Sequence, residues 1–347
     1  MCAKRRPKLA QAAEVRPETA LPPEAISATE PEMTPPSPEE VLALIQQLQE
    51  LRQAHLLTLV ASPDVILRGD IVEQVYEQLH QIGHVPQIDL FLHSVGGQTE
   101  LPWRLITLIR EYCQKFCVLI PAFAHSAATH LAMGADEIVM GPLSELSPVD
   151  PARTHPLLPG QKEDGSPLAV SAQDLRHCVE FIKKEVGDSS PEAKAAIVGA
   201  LFDKIHPLAI GAIQQSYDLA RLISTKALSS HMNPATEKEQ IERIVNVLSD
   251  EFFSHHYRIG RKEAKEIGLK VVDAEGELWE KMWALYKNYR AYFTLARLTG
   301  NEKEPRAARP ILWIDSVQER RILEQIQPLN QKGPTIVNWL TSAWTQD

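Results

Sequence analysis

The chain has 347 residues, of which 44% are hydrophobic and 23% are charged, and its net charge is -9. This is the composition of a soluble globular protein with one large domain and appendages. The acidic balance lacks the basic footprint of a nucleic-acid-binding protein, so we expect no nucleic-acid partner. No apolar run reaches the ~18 residues that span a bilayer, and no apolar segment follows the basic residues at 4–8. We therefore expect a cytoplasmic protein, with at most weak contact between its basic N-terminus and an anionic membrane.

The sequence predicts neither a metal site nor a cofactor site. Cys2, Cys113, Cys117 and Cys178 form no CxxC pair, and we expect buried free thiols in a reducing compartment. There is no HExxH motif, GxGxxG loop or GxxxxGK[ST] loop. Any ATP-driven unfoldase that acts with this protein must therefore be a separate chain.

The predicted elements begin after an N-terminal tail. Residues 1–36 are rich in Pro, Glu and Ala and contain no aromatic residue, so we predict disorder there. Ser37, Pro38 and Glu40 are typical of a helix start with a capping box, which predicts an N-terminal helix within residues 37–55.

From residue 56 onward the pattern alternates between strands and helices. The predicted strands cover residues 56–61, 88–93, 116–120 and 137–140. The predicted helices between them cover residues 71–82, 101–112 and 127–133. This alternation predicts βαβ units and a mostly parallel sheet, which binds ligands beyond the carboxyl ends of its strands.

Helices dominate the later part of the sequence. Residues 151–167 are rich in Pro and Gly, which predicts an exposed loop or lid. The helices predicted after it cover residues 172–185, 191–202, 208–229, 237–253, 261–267 and 278–298, with a short strand at 270–272. The main predicted domain covers residues 56–290, and residues 291–347 form a C-terminal extension with mixed signals.

Chemically suggestive residues stand where predicted strands end. Ser126 opens the helix at 127, and a serine at such a junction has its hydroxyl beside free backbone N–H groups, which suits a serine hydrolase. A plain helix N-cap is the alternative for this serine. Gly96 and Gly97 follow the strand at 88–93. Two glycines let backbone N–H groups approach a substrate carbonyl as an oxyanion hole, although a simple turn also explains the pair.

Three segments carry a family resemblance. They are HSVGGQ at 93–98, PAFAHSAATHLAMGADEIVMGPLSELSPVDP at 121–151 and SHHYRIGRKEAKEIGLKVVD at 254–273. With these, residues 56–290 resemble the serine dehydrogenase proteinase family, which is related to signal peptide peptidase A and to the Clp protease proteolytic subunit. The resemblance implies an α/β, Clp/crotonase-like spiral of ββα units, here with a helical C-terminal half. It also implies a serine-type peptidase that acts on peptides or proteins and assembles as a homo-oligomeric ring.

The resemblance implies a role for individual residues. Ser126 is the expected nucleophile, and the backbone at Gly96, Gly97 and Ala127 is the expected oxyanion hole. His255 is the expected general base with Asp150 as its orienting carboxylate, in places exchanged relative to the Clp subunit.

Several points stay open at the level of the sequence. His256, Lys183 and Lys184 are alternative bases. Ala128 stands where relatives carry glycine near the serine, and its extra methyl can narrow the oxyanion pocket or lower activity. His125 and His130 are expected to turn away from Ser126 or to pack in the core.

Two other functions remain as alternatives. One is a crotonase-fold acyl-CoA enzyme, which uses the same oxyanion geometry on a thioester. The other is a catalytically inert scaffold or adaptor with the same fold.

Overall fold

The computed structural model describes residues 36–158, 169–186, 190–252, 254–301, 304–329 and 335–344. The predicted tail at 1–36, except Pro36, lies outside these residues. So do Cys2 and the second half of the predicted loop at 151–167.

The described helices follow the predicted order. The predicted bounds at 71–82, 101–112 and 127–133 are confirmed, and the first helix begins with the predicted capping box between Ser37 and Glu40. The predicted helix at 237–253 ends early and continues only as a π-helical turn, Val247–Glu251. The helices are α1 (Pro38–Arg52), α2 (Ile71–Ile82), α3 (Leu101–Tyr112), α4 (Ala127–Met133), α5 (Ala172–Val186), α6 (Pro191–Lys204), α7 (Pro207–Ser229), α8 (Lys238–Asn246), α9 (Arg261–Ile267) and α10 (Gly276–Tyr292).

The strands are more numerous than the sequence predicts. Several are only two residues long and show no alternation of their own. They are β1 (His55–Ala61), β2 (Val85–His93), β3 (Cys113–Ile120), β4 (Phe123–Ala124), β5 (Glu137–Met140), β6 (Glu145–Leu146), β7 (Ala152–Arg153), β8 (Val170–Ser171), β9 (Ile259–Gly260), β10 (Val271–Asp273), β11 (Arg297–Asn301), β12 (Glu304–Asp315), β13 (Arg320–Pro328) and β14 (Ile336–Ser342).

The main sheet has nine strands in the order β10-β5-β3-β2-β1-β12-β13-β14, with β11 paired to β12. The strands from β10 to β1 are parallel, as predicted, and those from β12 onward are antiparallel. In the parallel part Leu57 lies opposite Leu90, Leu90 opposite Val118, and Val118 opposite Ile138. These apolar side chains form part of the core on one face of the sheet.

Both faces of the parallel strands are buried, as helical crossovers require. On one face, Leu57 and Val118 pack in a core with residues of α2, α3 and α4. On the other face, Phe91 and Leu119 pack in a second core with residues of α1 and α10. Near-continuous apolar runs are the sequence consequence of burial on both faces.

A small sheet, β4-β6-β9, forms a second layer beside the ends of the main strands. A main-sheet strand (β3), a small-sheet strand (β4) and a helix (α4) follow one another as a ββα unit. The strands β5 and β6 repeat the first two members of this unit. The predicted α/β fold built from ββα units is therefore confirmed.

The described part of the C-terminal extension belongs to the main sheet. Strand β12 pairs with β1 through Val60↔Trp313 and Ala61↔Leu312. Trp313 is buried in the second core beside the Tyr289 ring. The predicted helix at 278–298 ends at Tyr292, and the chain then forms strands. Arg297 and Leu298, predicted as helical, lie instead in β11 and pair with β12.

Two sequence predictions, on membrane-spanning helices and on cysteine thiols, can be compared with the described residues. No single described helix is long and apolar enough to cross a bilayer, and α6 and α7 meet that test only together, across an 88° bend. Burial raises the pKa of Cys113 to about 11 and that of Cys117 to about 12. Cys178 is exposed, so the prediction of buried thiols is wrong for that residue.

Candidate active site

Ser126 lies between β4 and α4 in a backbone conformation that L-residues rarely adopt. Its φ is 52° and its ψ is -117°. Gln53 is the other described non-glycine residue with a positive φ. Such a conformation costs about 1–3 kcal/mol and persists only where the surroundings enforce it. The hydroxyl makes no capping bond to α4, so N-capping does not explain this serine. A strained strand-to-helix turn is the geometry that exposes the nucleophile in α/β-hydrolases.

Two buried hydroxyl groups hold the Ser126 turn in place. The N–H of Ser126 donates to Ser147 Oγ at 2.8 Å. The Thr129 hydroxyl donates to the Ala124 carbonyl at 2.8 Å and accepts from the Ser147 N–H at 3.2 Å. Sequence reasoning missed Thr129 and Ser147, because a hydrogen bond between residues 21 positions apart leaves no local pattern.

The loop after β2 approaches this turn so closely that only glycine fits. An added Cβ at Gly96 would lie 2.5 Å from the His125 carbonyl oxygen and 2.8 Å from the Ala127 nitrogen. At Gly97 it would lie 2.1 Å from the Leu67 carbonyl oxygen. Gly96 therefore leaves the N–H of Ala127 uncovered, and both glycines are required by contacts rather than by turn geometry alone.

Two of the three predicted oxyanion donors have free N–H groups. In the part of the chain that the structure describes, the N–H groups of Gly97 and Ala127 donate no hydrogen bond. The N–H of Gly96 donates instead to Ser94 Oγ at 2.9 Å. Gly96 thus provides space, and Gly97 and Ala127 provide donors that can bind a carbonyl oxygen.

The residue after Ala127 faces the protein interior. Ala128 is fully buried among the residues of the first core. Its N–H donates to the His125 carbonyl at 2.9 Å. The Ala128 methyl thus packs in the core, and its effect on the oxyanion pocket or on activity stays a prediction.

The small sheet brings the three predicted catalytic segments to one edge. Strand β6 is parallel to β4 and antiparallel to β9. The chain after β4, the chain after β6 and the chain before β9 therefore leave the sheet at the same edge. These segments contain Ser126, Asp150 and His255 respectively.

His255 is half-buried, and its Nδ1 has no hydrogen-bond partner among the described residues. Burial lowers the pKa of this histidine, and so does the neighbouring His256, whereas the main chain of Asp150 beside the ring raises it. His256 is exposed, with its ring in a T-shaped arrangement 5.9 Å from that of His255. His255 is therefore the more enclosed of the two histidines.

Asp150 is 1% exposed, and its Oδ1 has no hydrogen-bond partner among the described residues. Burial raises the pKa of this carboxyl from 3.8 to about 6, while the Ser171 hydroxyl and the main-chain N–H of Gln173 lower it. The carboxyl thus faces the start of α5, and the main chain of Asp150 lies beside His255. A sequence pattern contains no information on this side-chain direction.

The other candidate bases are placed less favourably. Lys184 is exposed on α5, and the side chain of Lys183 lies outside the described residues. His130 is 2% exposed, in keeping with the expected core packing, and burial lowers its pKa to about 4. His125 stacks on Phe123 with ring centroids 4.6 Å apart, and burial lowers its pKa to about 3.

Two charged residues near His125, which precedes Ser126 in the chain, were not predicted from the sequence. Glu145 Oε2 lies 3.5 Å from Arg258 Nε and 3.9 Å from His125 Nε2. Glu145 lies in β6 and Arg258 directly precedes β9, and these two-residue strands are too short to show a sequence pattern. Across the described residues, no three His, Cys, Asp or Glu side chains gather as a metal site would require.

Comparisons with known proteins show distant likenesses. No family model matches the sequence. The chain is 22% identical over 259 residues to Uncharacterized protein MJ0137 of Methanocaldococcus jannaschii, covering 72% of this chain and 78% of that protein. It is 31% identical over 104 residues to Uncharacterized protein MJ1495 of the same organism, covering 29% of this chain and 35% of that protein.

Among solved structures, the chain is similar to proteases with a Clp-like fold. One is a mutant 1510-N membrane-bound stomatin-specific protease with a substrate peptide (13% identity, 60% of this chain, 69% of that chain, TM-score 0.34). A second is a ClpP1 mutant from Listeria monocytogenes (14% identity, 68% of this chain, 99% of that chain, TM-score 0.34). A third is the ClpP protease catalytic domain from Plasmodium falciparum (11% identity, 71% of this chain, 96% of that chain, TM-score 0.36). These values are too low to decide function, which depends on the site itself.

The close approach at Gly96 predicts the cost of a single methyl group. Gly96→Ala should lower the free energy of unfolding by about 1–3 kcal/mol, because the Cβ meets backbone atoms and φ is 93°. Gly211→Ala is the control, since Gly211 is exposed in α7 with no atom within 4 Å of the added Cβ. It should be neutral or stabilising by up to about 1 kcal/mol. Urea denaturation measures both, and equal effects would contradict the close approach.

The buried carboxyl of Asp150 predicts a pH dependence of stability. Well below its ordinary pKa of 3.8 the carboxyl is protonated in the folded and unfolded states alike, whereas above pH 6 the folded state holds a buried charge. Stability should therefore fall as pH rises from 4 to 6, by up to about 3 kcal/mol from this group. Asp150→Asn should remove that loss in urea titrations, and the exposed Asp203→Asn should retain it. If the free energy of unfolding of Asp150→Asn falls with pH as steeply as that of the wild type, burial does not disfavour the charge of this carboxyl.

Proposed function

We propose that this chain is a serine-type peptidase in which Ser126 attacks the carbonyl carbon of a peptide bond. The observation that supports it most is the strained Ser126 turn, together with the free N–H groups of Gly97 and Ala127. The Oγ–carbon bond forms as a base takes the hydroxyl proton, and the carbonyl oxygen becomes an oxyanion. Two preorganised donors stabilise that charge where it develops.

We assign the base role to His255. Its lowered pKa keeps the imidazole neutral near pH 7, so it can accept the Ser126 proton and return it to the leaving amine. Asp150 is proposed as the residue that supports this histidine. Its main chain lies beside the ring, and its carboxyl connects the same segment to α5.

The finer assignments belong to the same proposal. Membership in the serine dehydrogenase proteinase family is supported by the three resembling segments. Assembly into a homo-oligomer, action on peptide or protein substrates and a cytoplasmic location stay predictions. An acyl-CoA enzyme and an inert scaffold remain as outcomes that the following experiments separate.

The nucleophile assignment is tested with a fluorophosphonate probe and peptide mapping. Wild-type protein should be labelled at Ser126, and Ser126→Ala should lose labelling and peptidase activity, by as much as about 10⁶-fold in kcat where activity is measurable. Ser37→Ala is the control, because it loses a helix cap worth ~1 kcal/mol but no part of the site. Labelling of Ser126→Ala at the wild-type rate would reject the assignment. Wild-type protein that is not labelled would favour the inert scaffold. Cleavage of a thioester without cleavage of a peptide would favour the acyl-CoA enzyme.

The base assignment is tested by the pH profile of labelling. If His255 is the base, the rate rises with pH through an inflection below ~6.5, because burial lowers the pKa of this histidine. His255→Ala should then lose at least about 100-fold in rate, within the range that general bases contribute. His256→Ala, the exposed neighbour, should stay near wild type. An inflection in the alkaline range that survives both substitutions would assign the role to a lysine instead.

A further inference from the structure

A π-helical turn, Val247–Glu251, joins α8 to the segment that contains His255. Such turns are rare, and they occur frequently at functional sites. In this protein the turn also contains a buried hydroxyl, Ser249 Oγ, without a hydrogen-bond partner among the described residues. An irregular turn of this kind needs contacts that maintain it.

Asp250 makes most of those contacts. Its Oδ1 accepts from Arg176 Nη1 and from the Tyr217 hydroxyl, both at 2.7 Å, and its Oδ2 accepts from Arg221 Nη1 at 2.9 Å. The Arg176 guanidinium also stacks on the Tyr217 ring, 3.8 Å from its centroid. Because Arg176 belongs to α5 and the other two donors to α7, one carboxylate ties the turn to two helices.

The main chain of the same turn contacts the Asp150 segment. The N–H of Val149 donates to the Leu248 carbonyl at 3.0 Å. Gln173 Nε2 donates to the Ser249 carbonyl at 2.8 Å, and its main-chain N–H lies near the Asp150 carboxyl. The turn is thus joined to Asp150 on one side and precedes the His255 segment on the other.

We propose that Asp250 is a positioning residue, whose three donors fix the π-helical turn and so align His255 and Asp150 with Ser126. This inference rests on the proposed peptidase function. The Asp250 side chain is 33% exposed, and ion pairs at such exposure contribute little to global stability. Stability alone therefore gives a weak reason for gathering three donors on one carboxylate.

The His255 ring provides a readout that does not depend on activity. The charged and titratable groups around it are His125, His256, Arg258 and Asp150. Burial is the largest influence on its pKa and lowers it. A ring that loses its alignment becomes more exposed, so its pKa rises even where the overall fold is retained.

The experiment is an NMR titration of the full chain with labelled histidine, in which His255→Gln identifies the resonance. In Asp250→Asn the pKa of His255 should rise toward the ordinary histidine value of ~6.5. Probe labelling of Ser126 should fall about tenfold or more, within the contribution of a well-placed base. Asp250→Glu, which keeps the charge, should restore part of both properties.

Asp273→Asn is the matched control. The Asp273 side chain has a similar exposed fraction, 35%, and its carboxylate forms a separate ion pair with Lys265 at 2.7 Å. Its substitution should leave the His255 titration and the labelling rate unchanged. Folded Asp250→Asn with the wild-type His255 pKa would overturn the inference.

The two remaining outcomes are also decisive. If Asp250→Asn does not fold, Tyr217→Phe removes one donor and keeps the stacked ring. A smaller rise in the His255 pKa then supports the inference, and an unchanged pKa overturns it. Wild-type protein without labelling at Ser126 would reject the proposed function, while the titration would still decide whether Asp250 positions His255.

Discussion

The strained main chain at Ser126 is the constraint on which the rest of the site depends. A backbone at φ 52° and ψ -117° relaxes unless its neighbours prevent it. The Ser147 hydroxyl holds the Ser126 N–H, and every residue of α4 is buried, so the helix cannot move outward. Gly96 approaches the same turn without a side chain, which leaves the Ala127 N–H open. Strain, burial and a missing Cβ thus combine to fix the Ser126 turn and to leave space beside the Ala127 nitrogen.

Buried ionisable groups surround this turn, and their charges are disfavoured. Burial raises the pKa of Asp150 to about 6 and lowers that of His125 to about 3. Asp150 Oδ1, His255 Nδ1 and His125 Nε2 are buried without hydrogen-bond partners among the described residues. Such groups reduce stability, and proteins tend to concentrate them where pKa values are tuned for chemistry. The Asp250 contacts lie next to this region and connect it to α5 and α7.

The framework around the site is a sheet with a core on each face. The first core packs α4 against the parallel strands, which fixes where the Ser126 turn begins. The second core includes Trp313 from the antiparallel C-terminal strands, together with α1 and α10. The C-terminal strands therefore support the far face of the strands whose carboxyl ends form the site. Their contribution is structural, since none of the candidate catalytic residues lies on them.

Local spacing in the sequence was sufficient for the capping box at Ser37, for the bounds of α2, α3 and α4, and for the position of Ser126 between a strand and a helix. These features depend on residues a few positions apart, within the reach of capping, helical periodicity and strand alternation. Only the tertiary structure decided the partner of the Ser126 N–H, the direction of the Asp150 carboxyl and the pairing of β12 with β1. Those depend on atoms that lie from about 20 to 250 residues apart in the chain, and hydrogen bonds and burial over such separations leave no periodic trace in the sequence.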